Sequence, residues 1–431
     1  MRILWFTNTP SLATEKLTGQ VGVGGGWVDS LEEKFAADPT IQLALAFRWK
    51  VPAVQSFPSD HSDTRYYLLP EYPQGKWSRL WWRHTARIEP PRELADFMEV
   101  IRDFKPDMIH IFGTEQGFGR VATATTLPVV VWIQGNLTVY TRKYFSGISK
   151  WDSIRYSRLI DLLKGNSYWQ EYLQALKIAR REREIFLTAR HFIGRTDWDR
   201  RLTKVLAPQA TYHHCDDMIR PAFHQMEWES HTGRGKFILL STIRENLYKG
   251  LETILESAVL LKGILGPNFE WGVAGIAPQS QLARIVRKQL GLRFEDYQVN
   301  LLGNLTPDGL TRKLLAVDIF VHPSHIDNAP NSVQEAMLLG IPVVSTNSGG
   351  TGSLLKDNQE GLLVQDGDPW ALAGAILELI RDPERAAALG RQARKRGLVR
   401  NNPDVIYQDL IRIYQHLLEA KKTYSTNNLI P

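Results

Sequence analysis

The stretch from Val321 to Ser345 constrains the fold more than any other part of the chain. Its beginning, Ile319–Val321, predicts a buried strand, and Pro342–Ser345 predicts another strand after an intervening helix. Two carboxylates lie between these strands, with Asp327 in the loop and Glu335 eight residues later on the helix. Ligands of open α/β sheets bind in the crevice at the carboxyl ends of the strands. Both acids are therefore predicted to face one binding crevice.

The start of this helix is a predicted anion site. Asn331 and Ser332 are residue types that favour helix starts, where free N–H groups and the helix dipole attract negative charge. Pro330 has no N–H, so the donors are predicted to be the amides of Asn331, Ser332 and Val333. An alternative for Glu335 stays open. Ser332-x-x-Glu335 is also a capping box, in which the glutamate only ties down the helix start.

The spacing Asp327-x7-Glu335 follows a His-Pro-Ser strand end and precedes Ala-Met-x-x-Gly-x-Pro-Val-Val. It resembles the Glu-x7-Glu signature of retaining family-4 glycosyltransferases of the GT-B fold, with aspartate in place of the first glutamate. The resemblance implies that Asp327 contacts the donor sugar and Glu335 the ribose of a nucleotide-sugar. It also implies donor contacts at Asn331, Ser332, Val333, Gly303, Gly349 and Gly350.

A cationic loop follows the predicted strand Phe237–Ser241. The run Leu247-Tyr248-Lys249-Gly250-Leu251 resembles the lysine motif of the same family, and Arg244 lies five residues before the lysine. Breaking a sugar–phosphate bond leaves a growing negative charge that must be stabilised. The resemblance therefore implies that Lys249 and Arg244 hold the donor diphosphate. Ordinary exposed cations are the alternative.

The first half of the chain carries the predicted acceptor side. A glycine cluster, Gly22–Gly26, follows the first strand and does not match the dinucleotide-binding fingerprint. The resemblance implies that Gly25 and Gly26 border the acceptor, together with His110 and Gln134 at two strand ends. Gln134 stands where many members carry a histidine, and an amide cannot act as a base. The alternatives are a tight turn for the glycines and a hydrogen-bonded strand-end residue for His110.

The sequence predicts no cofactor and no essential metal. Asp197-x-Asp199 could share a hard cation, but the pair opens a helix, where acids favour the helix start, and capping is the preferred interpretation. The single cysteine, Cys215, excludes an intrachain disulfide and any multi-cysteine metal site.

Length and periodicity predict an α/β protein with two doubly wound halves, and the resemblance implies that these are two Rossmann-like domains facing across a cleft. A chain of 431 residues with 43% hydrophobic residues is too long for one ordinary core. Apolar runs alternate with amphipathic stretches in both halves, as in repeated βαβ units. We predict an acceptor-side domain over 1–220, a nucleotide-sugar domain over 221–404, and over 405–431 a helix that crosses back to the first domain, with a frayed tail.

The charge is +6, with a basic and aromatic run at Lys76–Arg87 and another at Tyr140–Tyr156. Such residues suit an anionic membrane interface, while a solvated surface or a sugar cleft is the alternative. Nucleic acid is not predicted, because no recognition motif accompanies the charge. Without a signal-peptide pattern or a long apolar run, the chain is predicted to be cytoplasmic, with a peripheral position on the inner face of the cytoplasmic membrane as a further expectation.

The resemblance implies a retaining hexosyltransferase that moves a sugar from a nucleotide-sugar to a glycan or polyprenyl-linked acceptor, and we expect a place in bacterial surface polysaccharide synthesis. Two alternatives stay open: a GT-B sugar-nucleotide epimerase or phosphorylase, and a non-catalytic nucleotide- or glycan-binding subunit.

Overall fold

The computed structural model describes residues 1–19, 26–88, 90, 92–231 and 235–427, the last seven of these by their backbone alone. The chain forms two compact units. Unit 1 comprises Met1–Thr138, Gln174–Arg220 and Asn401–Pro431, and unit 2 comprises Val139–Leu173 and Pro221–Arg400.

Unit 1 is built on one sheet. Its strands among the described residues are β1 (Arg2–Phe6), β2 (Gln42–Trp49), β3 (Gln55–Pro58), β4 (Arg65–Pro70), β5 (Met108–Phe112), β6 (Val129–Trp132), β7 (His191–Gly194) and β8 (Thr211–His214). Their order is β3-β4-β2-β1-β5-β6-β7-β8, and every neighbouring pair is parallel except β3 with β4. In β1, Ile3 and Trp5 pack into one core cluster, and Leu4 and Phe6 pack into another. A strand covered on both faces must be apolar throughout, which explains the continuous run from Ile3 to Phe6.

The helices cover both faces of this sheet. Those that lie in unit 1 are α1 (Ala13–Thr18), α2 (Trp27–Ala36), α3 (Lys76–Thr85), α4 (Glu93–Phe104), most of α8 (Tyr168–Thr188), α9 (Asp197–Leu206) and α17 (Pro403–Asn427). The last helix belongs here because Ile406, Leu410 and Leu417 recur on one face and join the core cluster of Ile3 and Trp5.

Unit 2 is built on an all-parallel sheet. Its strands are β9 (Phe237–Thr242), β10 (Phe269–Ala274), β11 (Val299–Gly303), β12 (Ile319–His322), β13 (Val343–Thr346) and β14 (Leu362–Val364), in the order β11-β10-β9-β12-β13-β14. Its helices are α6 (Lys150–Arg155), α7 (Leu159–Leu163), α10 (Pro221–Gln225), α11 (Leu251–Leu265), α12 (Gln281–Leu290), α13 (Pro307–Leu315), α14 (Asn331–Leu339), α15 (Pro369–Arg381) and α16 (Pro383–Arg400). Helix α5 (Leu137–Lys143) begins in unit 1 and continues into unit 2.

The segment Val139–Leu173 is the main departure from the predicted domain boundaries. The prediction assigned it to the first domain, whereas in the structure it packs with unit 2. The cause lies in long-range contacts: Lys143 pairs with Asp366 at 3.1 Å and Asp161 pairs with Arg284 at 3.3 Å. These contacts join residues that are more than 100 positions apart in the sequence, so hydrophobic periodicity does not reveal them.

Two further elements differ from the prediction. Strands β3 and β4 form a short antiparallel pair that the prediction lacked. Helix α17, predicted from residue 405, begins at Pro403 and continues to Asn427. Within the described part of the chain, no helix combines the length and the apolar character that crossing a bilayer requires.

Candidate active site

The candidate site lies at the carboxyl ends of the strands of unit 2. Strands β9 and β12 are paired neighbours, and β13 follows β12 in the sheet. The loops that follow these strands therefore converge at one edge, although their residues are separated by dozens of positions in the sequence. This is the edge at which open α/β sheets bind ligands.

Lys249 and Asp327 form an ion pair at this edge. Lys249 ends a short 3₁₀ turn, Leu247–Lys249, and its Nζ lies 2.5 Å from Oδ2 of Asp327. Both side chains are mostly buried, with 14% and 15% of their surface exposed. Burial alone would raise the pKa of Asp327, but the nearby ammonium of Lys249 outweighs burial and holds that pKa below its usual range. The aspartate is therefore a carboxylate over the whole physiological pH range.

His322 is a member of this cluster that the sequence prediction missed. It is the last residue of β12, it is buried, and its Nε2 lies 3.4 Å from Oδ2 of Asp327. Burial lowers the pKa of His322 even though the carboxylate opposes this shift, so the imidazole is neutral near pH 7. Its position at the carboxyl end of a strand, in the same motif as Asp327, was the signal available in the sequence.

Two glycines fix the backbone around the ion pair. Gly250 has φ +75° and lies against the carbonyl of Pro323, where an added Cβ would stand 2.2 Å from the oxygen. Gly349 has φ +59°, and a Cβ there would stand 2.0 Å from the carbonyl oxygen of Asp327. The N–H of Gly350 donates to that same oxygen at 2.9 Å. Only glycine combines positive φ with such close approach, so these positions hold the Asp327 loop in place.

The start of α14 excludes the capping-box alternative and contradicts one of the three predicted amide donors. Pro330 is the N-cap residue and no side chain caps the helix, so Ser332 is its second residue and the capping box of Ser332 with Glu335 does not form. The N–H of Val333 donates to the carbonyl of Pro330 at 3.1 Å and is not available to a ligand. The amides of Asn331 and Ser332 have no hydrogen-bond partner among the described residues. The predicted anion site therefore keeps two of its three donors.

The remaining predicted donor residues, Arg244, Glu335 and Gly303, also belong to unit 2. Arg244 follows β9, is exposed, and pairs with no acid in the described part of the chain. Glu335 is partly exposed on the first turns of α14. Gly303 ends β11, which lies three strand positions from β12, or about 14 Å at the usual strand spacing.

A second cluster, which the sequence prediction also missed, lies beside the Asp327 loop. His325 and Glu252 are each 3% exposed, and Nε2 of His325 lies 2.6 Å from Oε1 of Glu252. Asp366 lies 3.5 Å from the other ring nitrogen and also pairs with Lys143. Burial would lower the pKa of His325, but the two carboxylates outweigh burial and raise it. We call Glu252, His325, Asp366 and Lys143 the histidine network.

The predicted acceptor-side residues belong to unit 1. Gly25 lies outside the described residues, and Gly26 precedes α2 with φ +64°. His110 has no exposed surface, since its ring stacks against Phe112 and Trp132. Burial lowers the pKa of His110 to about 3. A side chain without exposed surface cannot contact an acceptor. His110 is therefore a core residue, and its predicted acceptor role is wrong.

Gln134 lies at the carboxyl end of β6 and is partly exposed. Its backbone oxygen accepts a hydrogen bond from the guanidinium of Arg195 at 2.7 Å. Arg195 in turn forms a buried ion pair with Asp217 at 2.6 Å. The loop that carries Gln134 is thus anchored to the interior of unit 1.

The Asp-x-Asp pair acts at the start of α9. Asp199 is buried and forms a capping box with Thr196, and it accepts the hydroxyl of Tyr212 at 2.5 Å. Asp197 is exposed and pairs with Arg200 at 2.7 Å. The capping interpretation is confirmed. The described residues contain no group of three metal-ligating side chains arranged around one point.

Known proteins resemble this chain in sequence over part of its length. Residues 224–396 match the family model described as "Glycosyl transferases group 1". The amylovoran biosynthesis glycosyltransferase AmsK of Erwinia amylovora is 30% identical over 186 residues, which cover 42% of this chain and 44% of that protein. The chain thus spans less than half the length of this curated relative.

Solved structures match over nearly the whole chain. Sucrose-phosphate synthase from Thermosynechococcus elongatus aligns with a TM-score of 0.70 at 19% identity, covering 97% of this chain and 100% of that one. HepE of Anabaena, solved in complex with UDP and glucose, aligns with a TM-score of 0.61 at 14% identity, covering 96% and 99%. At such identities the likeness shows the fold alone, and it confirms the predicted α/β architecture of two Rossmann-like domains.

Proposed function

We propose that this protein, whose residues 224–396 match the model of the glycosyl transferases group 1, transfers a sugar from a nucleotide-sugar to an acceptor hydroxyl. The observation that carries the proposal is the Lys249–Asp327 ion pair at the carboxyl edge of the unit 2 sheet. A cation, a carboxylate and the unpaired amides of Asn331 and Ser332 converge there. This set offers both positive groups for a diphosphate and an acceptor of hydrogen bonds for sugar hydroxyls.

Donor binding must rearrange the ion pair. Without a ligand, the ammonium of Lys249 is neutralised by Asp327. A donor diphosphate carries more negative charge than one carboxylate and competes for Lys249, which leaves Asp327 able to accept hydrogen bonds from the sugar. As the bond between the anomeric carbon and phosphate oxygen breaks, Lys249 and the start of α14 stabilise the charge that grows on the leaving diphosphate.

We propose that the reaction retains the anomeric configuration. The acceptor oxygen bonds to the anomeric carbon on the face from which the diphosphate leaves, and the acceptor proton passes to an oxygen of that leaving group. The unit 1 residues support this route, because Gln134 cannot act as a base and His110 is buried in the core. A route that uses the leaving phosphate as base needs neither side chain.

The proposed acceptor is a glycan or a polyprenyl-linked glycan of a bacterial surface polysaccharide. This finer assignment rests on the names of relatives, which include a colanic acid biosynthesis glycosyltransferase of Escherichia coli and a capsular polysaccharide biosynthesis glycosyltransferase of Staphylococcus aureus. An epimerase would convert the donor without any acceptor. A non-catalytic subunit would turn over no donor at all.

The test of this function is a thermal-shift screen of the purified protein with nucleotide-sugars of different bases and sugars, followed by turnover of those that bind. A ligand that binds only the native state raises the unfolding temperature. We expect at least one nucleotide-sugar to stabilise the protein and to release nucleoside diphosphate when acceptor is added. Release of the diphosphate from none of them would contradict the proposal, and epimerised donor without acceptor would replace it.

Glu335→Gln should weaken nucleoside diphosphate binding and leave the unfolding temperature unchanged. Gln loses the charge that we propose for the ribose hydroxyls, but it keeps the shape and the hydrogen-bonding oxygen of Glu335, which forms no capping box with Ser332. The loss is expected at roughly tenfold, as for one hydrogen bond to a charged group. Calorimetric titration and thermal unfolding of both proteins check this. A fall in stability with unchanged affinity would return Glu335 to a structural role at the helix start.

Chelation should leave the transfer activity intact. Lys249, Arg244 and the two unpaired amides of α14 supply the positive potential that a metal ion would otherwise provide. The measurement is turnover with excess chelator, compared with turnover after manganese is added back. An activity that chelator abolishes, that manganese restores and that Asp197→Ala removes would place the catalytic centre at the Asp-x-Asp pair instead.

Helix α3 is the proposed point of contact with an anionic membrane surface. Trp77 and Trp81 lie one turn apart and are 84% and 52% exposed, next to the cation of Lys76. Indole rings beside a basic residue favour the interface of a bilayer. We expect co-sedimentation with anionic vesicles that weakens with salt. Changing both tryptophans to serine should abolish it, and binding that ignores both salt and this change would exclude α3 as the contact.

A further inference from the structure

Unit 1 contains a cavity of about 700 Å³ beside α3, with an unusual charge balance. Its cationic lining side chains are Arg48, Lys50, Arg79, Arg83, Arg87 and Arg181, and its acidic ones are Glu71 and Glu115. The volume falls in the range of about 300–1,000 Å³ that is typical of ligand sites. This cavity is distinct from the donor-side cluster, because every lining residue belongs to unit 1.

Two of the six cations are already neutralised or held by the fold. Arg48 pairs with the buried carboxylate of Glu93 and donates to Gln116 at 3.1 Å. Arg181 is 4% exposed and donates to the backbone oxygen of Glu115 at 2.6 Å. These two arginines line the cavity but are held by contacts within unit 1. The charge that a ligand could neutralise therefore lies first on Lys50, Arg79 and Arg83.

The arginines of α3 lie close enough together to repel one another. Arg79 and Arg83 lie one turn apart on the same face, both are exposed, and neither pairs with a described residue. Like charges at this spacing destabilise a helix, and α3 contains no acidic residue to relieve them. Arg87 continues the row, with its guanidinium 5.3 Å from the ring centre of Trp82. A bound anion would turn this repulsion into attraction.

We propose that this cavity binds the diphosphate group of a polyprenyl-linked glycan acceptor. An arginine guanidinium can donate two parallel hydrogen bonds to one phosphate group. A diphosphate carries enough negative charge to bind more than one arginine. Trp82, Ile88 and Ile178 add apolar surface to the cavity wall, against which the first prenyl units can pack. The inference deepens the proposed function, on which it rests, by naming the charged group that the enzyme recognises on its acceptor.

Helix α3 then presents one face to the cavity and another to solvent. Arg79, Trp82 and Arg83 line the cavity, whereas Trp77, which does not line it, is 84% exposed to solvent. The phosphate source that we commit to is the lipid carrier, because the same helix presents this exposed indole, which suits the interface where such a carrier resides.

The experiment is a calorimetric titration of the full-length protein with geranyl diphosphate, a water-soluble prenyl diphosphate, at low salt. We expect saturable binding that Arg79→Gln/Arg83→Gln weakens by at least about tenfold, because each guanidinium provides charge-assisted hydrogen bonds. Lys76→Gln is the matched control. It removes one charge from the same helix but not from the cavity, and it should change the affinity less than twofold.

A second control separates this cavity from the donor site, which also binds a diphosphate. Lys249→Ala should leave the affinity for geranyl diphosphate unchanged, and the double arginine variant should leave the affinity for nucleoside diphosphate unchanged. Equal weakening by Lys76→Gln, or loss of geranyl diphosphate binding in Lys249→Ala, would overturn the cavity assignment. Tighter binding of a uronate oligosaccharide, or of anionic vesicles through the same two arginines, would replace the lipid-linked diphosphate as its ligand. These binding results do not depend on turnover, so they can fail while the proposed transferase activity stands.

Discussion

Lys249→Ala should lower the rate of sugar transfer by about 100-fold or more, the usual effect of removing one group that stabilises charge in the transition state. Lys249 is the cation closest to Asp327, at 2.5 Å, and it stands where strands β9 and β12 end side by side. Its ammonium is therefore expected to follow the negative charge onto the leaving diphosphate. Steady-state kcat with a saturating donor is the measurement, since the effect is expected on the chemical step.

The matched control for this variant is Lys236→Ala. Lys236 also belongs to unit 2 and also forms an ion pair, with Glu270 at 3.2 Å, but it lies just before β9, at the opposite end of that strand. Its removal should leave kcat unchanged. Normal turnover in Lys249→Ala, with an unfolding curve like that of the wild type, would remove Lys249 from the mechanism.

Asp327→Ala distinguishes the two partners of the ion pair. If Asp327 faces the sugar, this variant should lose transfer while it keeps its affinity for nucleoside diphosphate, because Lys249 is then released from its carboxylate partner. The comparison is between kcat and the dissociation constant of the diphosphate. Equal losses in both quantities would contradict a position of Asp327 at the sugar.

The sequence was sufficient to predict the scaffold of the site. Strands such as β1 and β12 are buried on both faces, so they appear as uninterrupted apolar runs, and helices with one apolar face appear between them. The positions of Lys249 and Asp327 at strand ends followed from the same pattern. Parallel strands bring their carboxyl ends to one edge whatever their separation in sequence.

What the sequence could not supply is the set of contacts between distant residues. Lys249 and Asp327 are 78 residues apart, and the prediction assigned them to different groups of one donor, the diphosphate and the sugar, without foreseeing that they pair. The amide of Val333 was counted as a donor because the prediction placed the cap at Asn331 or Ser332, whereas the helix begins one residue earlier, with Pro330 as its cap. His110 was assigned to the acceptor side by resemblance, and only the packing of Phe112 and Trp132 against its ring shows that it is buried.

The histidine network also joins residues that are far apart in the sequence. His325 and Glu252 are 73 residues apart, and Asp366 and Lys143 are 223 residues apart, so no local pattern connects them. Gly147 completes the arrangement, because an added Cβ there would lie 2.1 Å from Oε1 of Glu252. These contacts hold the segment Val139–Leu173 on unit 2. They explain why a domain boundary drawn from periodicity alone assigns that segment elsewhere.

His325→Ala should lower the free energy of unfolding of unit 2 by about 3 to 5 kcal/mol, the usual cost of breaking a buried ion pair by removing one partner. Glu252 is 3% exposed and would lose the imidazole that lies 2.6 Å from it. Both carboxylates of the network raise the pKa of His325, despite burial, above the value of about 6.5 that the unfolded chain has. A raised folded pKa contributes stability that is fully present below about pH 6.5 and is lost as the pH rises through the folded value.

Urea unfolding of wild type and His325→Ala at about pH 6 and about pH 9 is the measurement, and the difference between the two proteins should shrink at the higher pH. This pH dependence distinguishes the loss of the ion pair from the effect of the cavity that alanine also creates. A cavity lowers the free energy of unfolding by the same amount at both pH values. Arg385→Ala is the control, since it breaks a pair with Glu378 whose side chains are 38% and 56% exposed and should cost no more than about 1 kcal/mol. Two outcomes would contradict this role of the charged pair. His325→Ala could lower the free energy of unfolding no more than the control does, or by the same amount at both pH values. Either result would show that the pair of His325 with Glu252 does not stabilise the contact between the Asp327 loop and α11.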